Sequence, residues 1–399
     1  MFQTLLSPIP AHLVNLANNL PINQWGRQLI LHRNENDLNH IIQQENIRLA
    51  IVGVCDDRFN NPAGCHDAPN AIRQQLYQFY NWLPNFKIAD LGNILPGQTL
   101  RDTQIALREV VAHLVVQNII TVILGGTNHI TSGQFMGHQN ESLLNMVVFD
   151  ETIALYAPVF PEDTPAEGNL EPTWLFDVLT AKNNNLFNFA ILGYQRHLVD
   201  PKVIDTLENL HFDCYNLGHL RQQIEEAEPI IRHAQMVAFN MAAIQQIDAP
   251  AVANSYAHGF SSEDACRLAR YAGLSDDVLS FGIYDVYPPN ENPTHPITAQ
   301  LAAQMIWYFA EGVSVRRNDT PNALNEHDFL EYIVHFKNSD HRLLFVKSKR
   351  TDRWWLKIPI KNKGKTVFHY VPCSYADYEQ ACQDDVPNRW LKAWWRLNG

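Results

Sequence analysis

Short apolar runs that stop at a glycine or a polar residue recur along the first three quarters of the chain, with helix-period segments between most of them. IRLAIVGVC (47–55) opens the series, and its unbroken Val and Ile content predicts a strand buried on both faces. After the loop DDRFNNPAGCHDAP, residues 68–80 predict a helix: Pro69 suits a first turn, and Ile72, Leu76 and Phe79 follow at helical spacing. A further helix is expected at about 102–117, a strand at IITVILGG (119–126) and a helix over 131–138. LLNMVVFD (143–150), FNFAILGY (187–194), AQMVAFN (234–240) and VLSFGIYDV (278–286) repeat the strand pattern. Alternation of this kind predicts a single three-layer α/β/α domain with a mostly parallel sheet.

In such sheets ligands collect at the C-terminal ends of the strands. Here those ends would deliver Gly125, Gly126, Asp150, Gly193, Asn240 and Asp285 to one rim.

The pattern breaks near Val313, where VRRNDTPNALNEHD supplies charges, Pro and Asn but too few apolar residues for an element. Three stretches follow: an N-terminal segment (1–46), the α/β domain (47–313) and a C-terminal extension (314–399) packed on or beside it. Composition sharpens that division. The 399 residues are 46% apolar and carry a net charge of -12, enough to bury a large core and unsuited to general binding of phosphate polymers. Residues 341–399 are the exception, with 12 Lys+Arg against 5 Asp+Glu and five of the nine tryptophans.

The opening MFQTLLSPIPAHLVNL lacks a basic region followed by an apolar one, and no run approaches membrane-spanning length. A cytoplasmic protein with no membrane partner is expected. The six cysteines are scattered, without a CxxC pair, which fits reduced thiols. No GxSxG, P-loop, GxGxxG after a strand or HExxH occurs.

Six blocks carry a resemblance: GCHDAPNAIR (64–73), LGGTNHITSGQF (124–135), VVFDETIAL (147–155), FAILGYQ (189–195), VAFNMAAIQQIDAP (237–250) and SFGIYDVYPPNENPTHPITAQLAA (280–303). In order and spacing they resemble the ureohydrolases, the arginase, agmatinase and formiminoglutamase group, over about residues 47–309. SKRTDRWW and PCSYADYEQAC in the extension look closest to formiminoglutamase-like members. The resemblance implies an arginase-like fold and two manganese ions at the strand ends. Such ions bridge a hydroxide that attacks a guanidinium or formimino carbon, because water must lose a proton near neutrality to act as the nucleophile.

The family's ligand positions are largely replaced. Asn128 stands where relatives place a histidine, with His129 one step later. The family's Asp-Ala-His-X-Asp becomes Asp150, Glu151, Thr152, Ile153, Ala154, and its Asp-X-Asp becomes Asn240, Met241, Ala242. Of the six positions only Asp150 keeps a donor of the expected type, so no metal is expected and the pocket is read as a remnant. Manganese enters only under an alternative, a one-metal site in which His129, Asp150 and Glu151 supply donors. Alternation along a strand argues that Asp150 and Glu151 face opposite ways. Asp285 takes the place of a family glutamate and could pair with a cation, cap a helix or form a salt bridge; Thr152 and Asn240 could hydrogen-bond water.

His66 and His258 lie on loops that could face the rim, while Cys55 and Cys65 flank the early loop, Cys65 next to His66, and are not expected to act as nucleophiles. In the extension, Lys347, Lys349, Arg350 and Arg353 alternate with Trp354 and Trp355. They could clamp an anion or a single-stranded nucleic acid, or cover tryptophans that anchor a positive tail on a negative body, and the second reading is preferred. The expected function is that of a formiminoglutamase-like protein without its dimanganese site, acting in binding, regulation or as a partner subunit; the alternative is an active hydrolase of linear amidines. A small amino-acid-like ligand, a homo-oligomer and a family relative remain open as partners.

Overall fold

The structure is a computed structural model that describes residues 2–34, 38, 41–42, 46–58, 64–83, 85–153, 155, 174–182, 184–292, 294–322, 324–337, 342–362 and 365–398. Nine strands form one sheet in the order β1-β3-β2-β4-β9-β8-β5-β6-β7. They are β1 Ile30–Leu31, β2 Leu49–Val54, β3 Ile88–Ile94, β4 Ile120–Leu124, β5 Leu144–Phe149, β6 Leu186–Tyr194, β7 Asp213–Asn216, β8 Met236–Asn240 and β9 Ser280–Tyr284. Every pairing in it is parallel.

Alternation explains the continuous apolar runs. In β2, Leu49 and Ile51 join one core with the helices Ala68–Leu76, Ser262–Leu274 and Ile297–Ser314. Ala50, Val52 and Val54 join the other, under Leu100–Val116, Thr131–Met136 and Trp174–Leu179. A strand covered on both faces needs apolar side chains at every position. The expected helix near 102 begins at Leu100, because Thr99 and Asp102 form a reciprocal capping box. The strand expected over 278–286 is shorter, Ser280–Tyr284.

The sequence reading named no elements in the extension, and it folds into a second sheet. Four antiparallel strands run in order: β10 Phe329–His335, β11 Arg342–Ser348, β12 Trp354–Asn362 and β13 Lys365–Cys373. The helices Tyr375–Cys382 and Asn388–Asn398 follow. Val334, Leu343, Phe345, Trp354, Leu356, Ile358 and Val371 close a core of its own with Ala381 and Ala393 from those helices.

The basic residues of this unit reach the body. Arg353 pairs with Glu228 at 3.4 Å, Arg389 with Glu226 at 3.5 Å, and Lys392 with Asp213 at 3.2 Å. From the other side, Arg232 of the helix Ala227–Arg232 lies over the Trp355 ring at 4.4 Å and donates to the carbonyls of Trp354 and Cys373. Among the described residues no helix is long and apolar enough to cross a membrane.

Candidate functional site at the strand ends

Between β4 and β5 the chain skips over the positions of β9 and β8, so four strand ends meet where the strand order reverses. After Leu124 the chain turns through Gly125 and Gly126, whose φ angles of +72° and +76° favour glycine. Thr127 then accepts a hydrogen bond from the His129 amide and starts a short turn over Asn128–Ile130.

The Asn128 amide donates to Asp285 Oδ1 at 3.0 Å, and the Asp285 amide donates to the Gly126 carbonyl at 3.0 Å. Asp285 is buried and holds a φ of +62°, a left-handed conformation that Asp tolerates better than most residues. Its carboxylate thereby fixes the glycine turn.

Phe149 and Phe239 are register partners in β5 and β8, which sets the next residue, Asp150, beside Asn240. The Asn240 amide nitrogen donates to Asp150 Oδ1 at 3.2 Å, and its oxygen accepts from the Ala242 backbone at 3.0 Å. Both polar ends of Asn240 are therefore engaged. The Thr152 hydroxyl donates to the Leu198 carbonyl at 3.2 Å, and its amide reaches Asp150 Oδ1 at 3.4 Å.

Glu151 corrects an expectation. Strand β5 ends at Phe149, so the alternation rule does not apply beyond it, and the Asp150 and Glu151 carboxyls share a hydrogen bond. Burial raises the pKa of both, and the neighbouring Asp150 and Asp285 charges push Glu151 further up. Glu151 Oε2 is buried without a hydrogen-bond partner in the protein, as is Gln195 Oε1. Gln195 is tied in by its backbone amide to the Glu151 carbonyl at 2.8 Å and by its side-chain amide to the His258 carbonyl at 2.8 Å. Spacing along the chain gave no signal for Gln195 as a pocket residue, which its backbone bond to Glu151 brings there, whereas Glu151 was a candidate donor expected to face away from Asp150.

The structure thus gathers Asp150, Glu151, Thr152 and Asn240, with Asn128 and Asp285 joined on the β4 side. Ala242 is buried at its strand end, and the Ala154 position lies outside the described residues. His129 sits on the β4 turn, where its carbonyl accepts from Gln104 and Ser132. Among the described residues no group of three or more His, Cys, Asp and Glu side chains has metal-binding geometry.

The other candidates are differently placed. His66 is exposed and lies between Asp57 at 2.9 Å and Asp67 at 3.3 Å on its own loop. Burial lifts the Cys55 thiol to about 11, opposite to what a nucleophile needs, and Cys65 Sγ donates to the Asp56 carbonyl at 3.7 Å. In the extension Lys347 pairs with Asp352, Lys349 donates to the His327 carbonyl, and Arg350 donates to the Arg317 carbonyl. Trp354 and Trp355 are buried, so neither offers a free face for a stacked base.

Comparison with known proteins bears on this arrangement. The Arginase family model matches residues 47–311. The chain belongs to the arginase family. Formimidoylglutamase of Streptococcus gordonii is 25% identical over 321 residues, covering 74% of this chain and 93% of the relative. Formimidoylglutamase of Clostridium tetani is 22% identical over 302 residues, covering 71% and 87%. Among solved structures, Trypanosoma cruzi formiminoglutamase with Mn2+ superposes with a TM-score of 0.61 at 17% identity over 69% of this chain and 96% of that one. Formimidoylglutamase from Bacillus subtilis gives 0.59 at 16% identity, covering 68% and 89%. The chain is formiminoglutamase-like in sequence and arginase-like in fold.

Proposed function

We propose that this protein has lost the dimanganese site of its family and does not hydrolyse guanidino or formimino substrates, acting instead in binding, regulation or as a partner subunit. The observation that carries this reading is the Asn240–Asp150 contact. An amide N–H occupies the Asp150 oxygen, the amide's own oxygen is already used by the Ala242 backbone, and Ala242 has no side-chain donor. Thr152 likewise spends its hydroxyl proton on a backbone carbonyl. Hard divalent ions need several oxygen or imidazole ligands each, and a set reduced to one carboxylate among the described family positions does not fit two of them. A small amino-acid-like ligand of the rim, association with a family relative and a cytoplasmic setting belong to the same proposal.

A second reading has one observation in its favour: Asp150 and Glu151 converge, so two carboxyl groups could serve a single ion. One experiment separates the readings. Protein dialysed against manganese is analysed for bound metal and assayed for release of formamide or urea from formiminoglutamate and arginine. Substoichiometric metal and no chelator-sensitive release are expected. About two equivalents would overturn the proposal, and one equivalent with turnover would establish the second reading.

A further inference from the structure

The seam between the body and the C-terminal unit holds two histidines that the strand-end reading does not use. His233 follows the helix Ala227–Arg232 on the body, and His369 lies on β13 of the second sheet. Their rings meet edge to face with centroids 5.8 Å apart, and the Phe187 ring of β6 packs on His369 at 5.9 Å. Both rings are partly buried. The Nε2 atoms of both are buried and have no hydrogen-bond partner.

The charges around them are cationic in excess. Arg396 of the last helix and Arg232 act on His233, and Arg396 also acts on His369. Asp213 of β7 is the carboxylate that acts on His233, and it is already engaged by Lys392 at 3.2 Å, Arg396 at 3.4 Å and the Asn188 amide at 3.0 Å. The imidazolium form of either ring would therefore carry an Nε2–H with no acceptor, and a charge beside guanidinium groups.

We propose that His233 and His369 form an acid-sensitive latch: while both rings are neutral the C-terminal sheet and helices stay docked, and protonation releases them from the body. Burial is the largest cause holding both pKa values below the ordinary 6.5, with the other histidine and Arg396 adding to it at His233, which falls to about 3. Once undocked, each ring regains its ordinary value and binds a proton below pH 6.5. The undocked state then takes up more protons than the docked one, so docking is fully stable above pH 6.5 and weakens as pH falls. Asp213 is silent over this window. Burial works to raise its pKa, but Arg396, Lys392 and the Asn188 amide outweigh that and keep it below 3.8, so it loses charge only in stronger acid.

Hydrogen exchange on the full-length protein between pH 7 and 5, corrected for intrinsic rates, reads the opening equilibrium of the seam. For amides of β13, the helix Asn388–Asn398 and the end of the helix Ala227–Arg232, the opening constant should rise about tenfold per pH unit for each histidine below pH 6.5. The amides of β4, β5 and β9 should keep their protection. The double variant His233→Phe/His369→Phe, which keeps the ring packing, should show no such rise. Should the double variant not fold, His369→Phe alone must halve the logarithmic slope. A seam constant that is flat with pH, a parallel loss of protection in the central strands, or a variant that follows the parent curve would overturn the latch.

Discussion

The strand-end rim and the seam under the C-terminal helices both bury carboxyl groups, and they neutralise them by opposite means. At the rim Asp150 meets an amide and Glu151 meets another carboxyl, and burial raises the pKa of both. At the seam Asp213 meets Lys392 and Arg396, which hold it charged despite burial. The difference separates hydrogen-bond satisfaction from charge pairing inside one molecule. The rim carboxyls are held by burial and by neighbours that favour a proton, whereas a seam built on ion pairs fails when one partner is removed.

The largest expected effect follows at the seam. Asp213→Asn leaves the Lys392 ammonium and the Arg396 guanidinium partly buried without their carboxylate. Breaking a buried pair in this way costs about 3 kcal/mol. Urea denaturation at pH 7 should show that loss, with the second sheet unfolding first if the two units separate. A change of less than about 1 kcal/mol would mean that the seam is held by its aromatic contacts and not by charge.

How much of this could be read along the chain depends on burial. Strands β2, β4, β5, β8 and β9 are covered on both faces, so each appears as an uninterrupted apolar run. Strand β1 is two residues long and β7 reads Asp-Cys-Tyr-Asn, too short and polar to stand out. In β12 the period of two is hidden. Trp354 packs into one core while Trp355, on the opposite face, packs with Phe329 and Val346. The rim was legible where spacing to the family blocks is fixed, at Asp150 and Asn240. At Glu151 the candidate was legible but its facing was not, because the end of strand pairing, and with it the loss of alternation, is decided by neighbours distant in sequence.

The same carboxyl-to-amide change should have a small and opposite effect at the rim. Glu151→Gln replaces a carboxyl whose pKa burial and the Asp150 charge push well up. The amide can still donate to Asp150, so stability at pH 5 should stay within about 1 kcal/mol of the parent. Because the folded pKa lies above the ordinary 4.5, the folded state keeps a proton that the unfolded chain releases, and the parent loses stability as pH rises through the folded value. The variant, with no proton to release, loses no stability in this way. Thermal melts at pH 8 should therefore place it above the parent, and a variant that falls further below the parent at pH 8 than at pH 5 would show that Glu151 works as a charged group.

The smallest effect should come from an ion pair that lies outside both regions. Arg267 pairs with Glu225 at 3.2 Å and Glu263 at 3.7 Å, with all three side chains substantially exposed. Water and salt screen such pairs, and ordering two long side chains offsets most of what remains, so Arg267→Ala should change stability by less than about 1 kcal/mol. Denaturation of this variant beside Asp213→Asn tests whether burial sets the worth of a charge pair here. If removing Arg267 costs as much as removing the Asp213 charge, then pairing alone carries the energy, and the contrast between rim and seam needs a cause other than solvent exclusion.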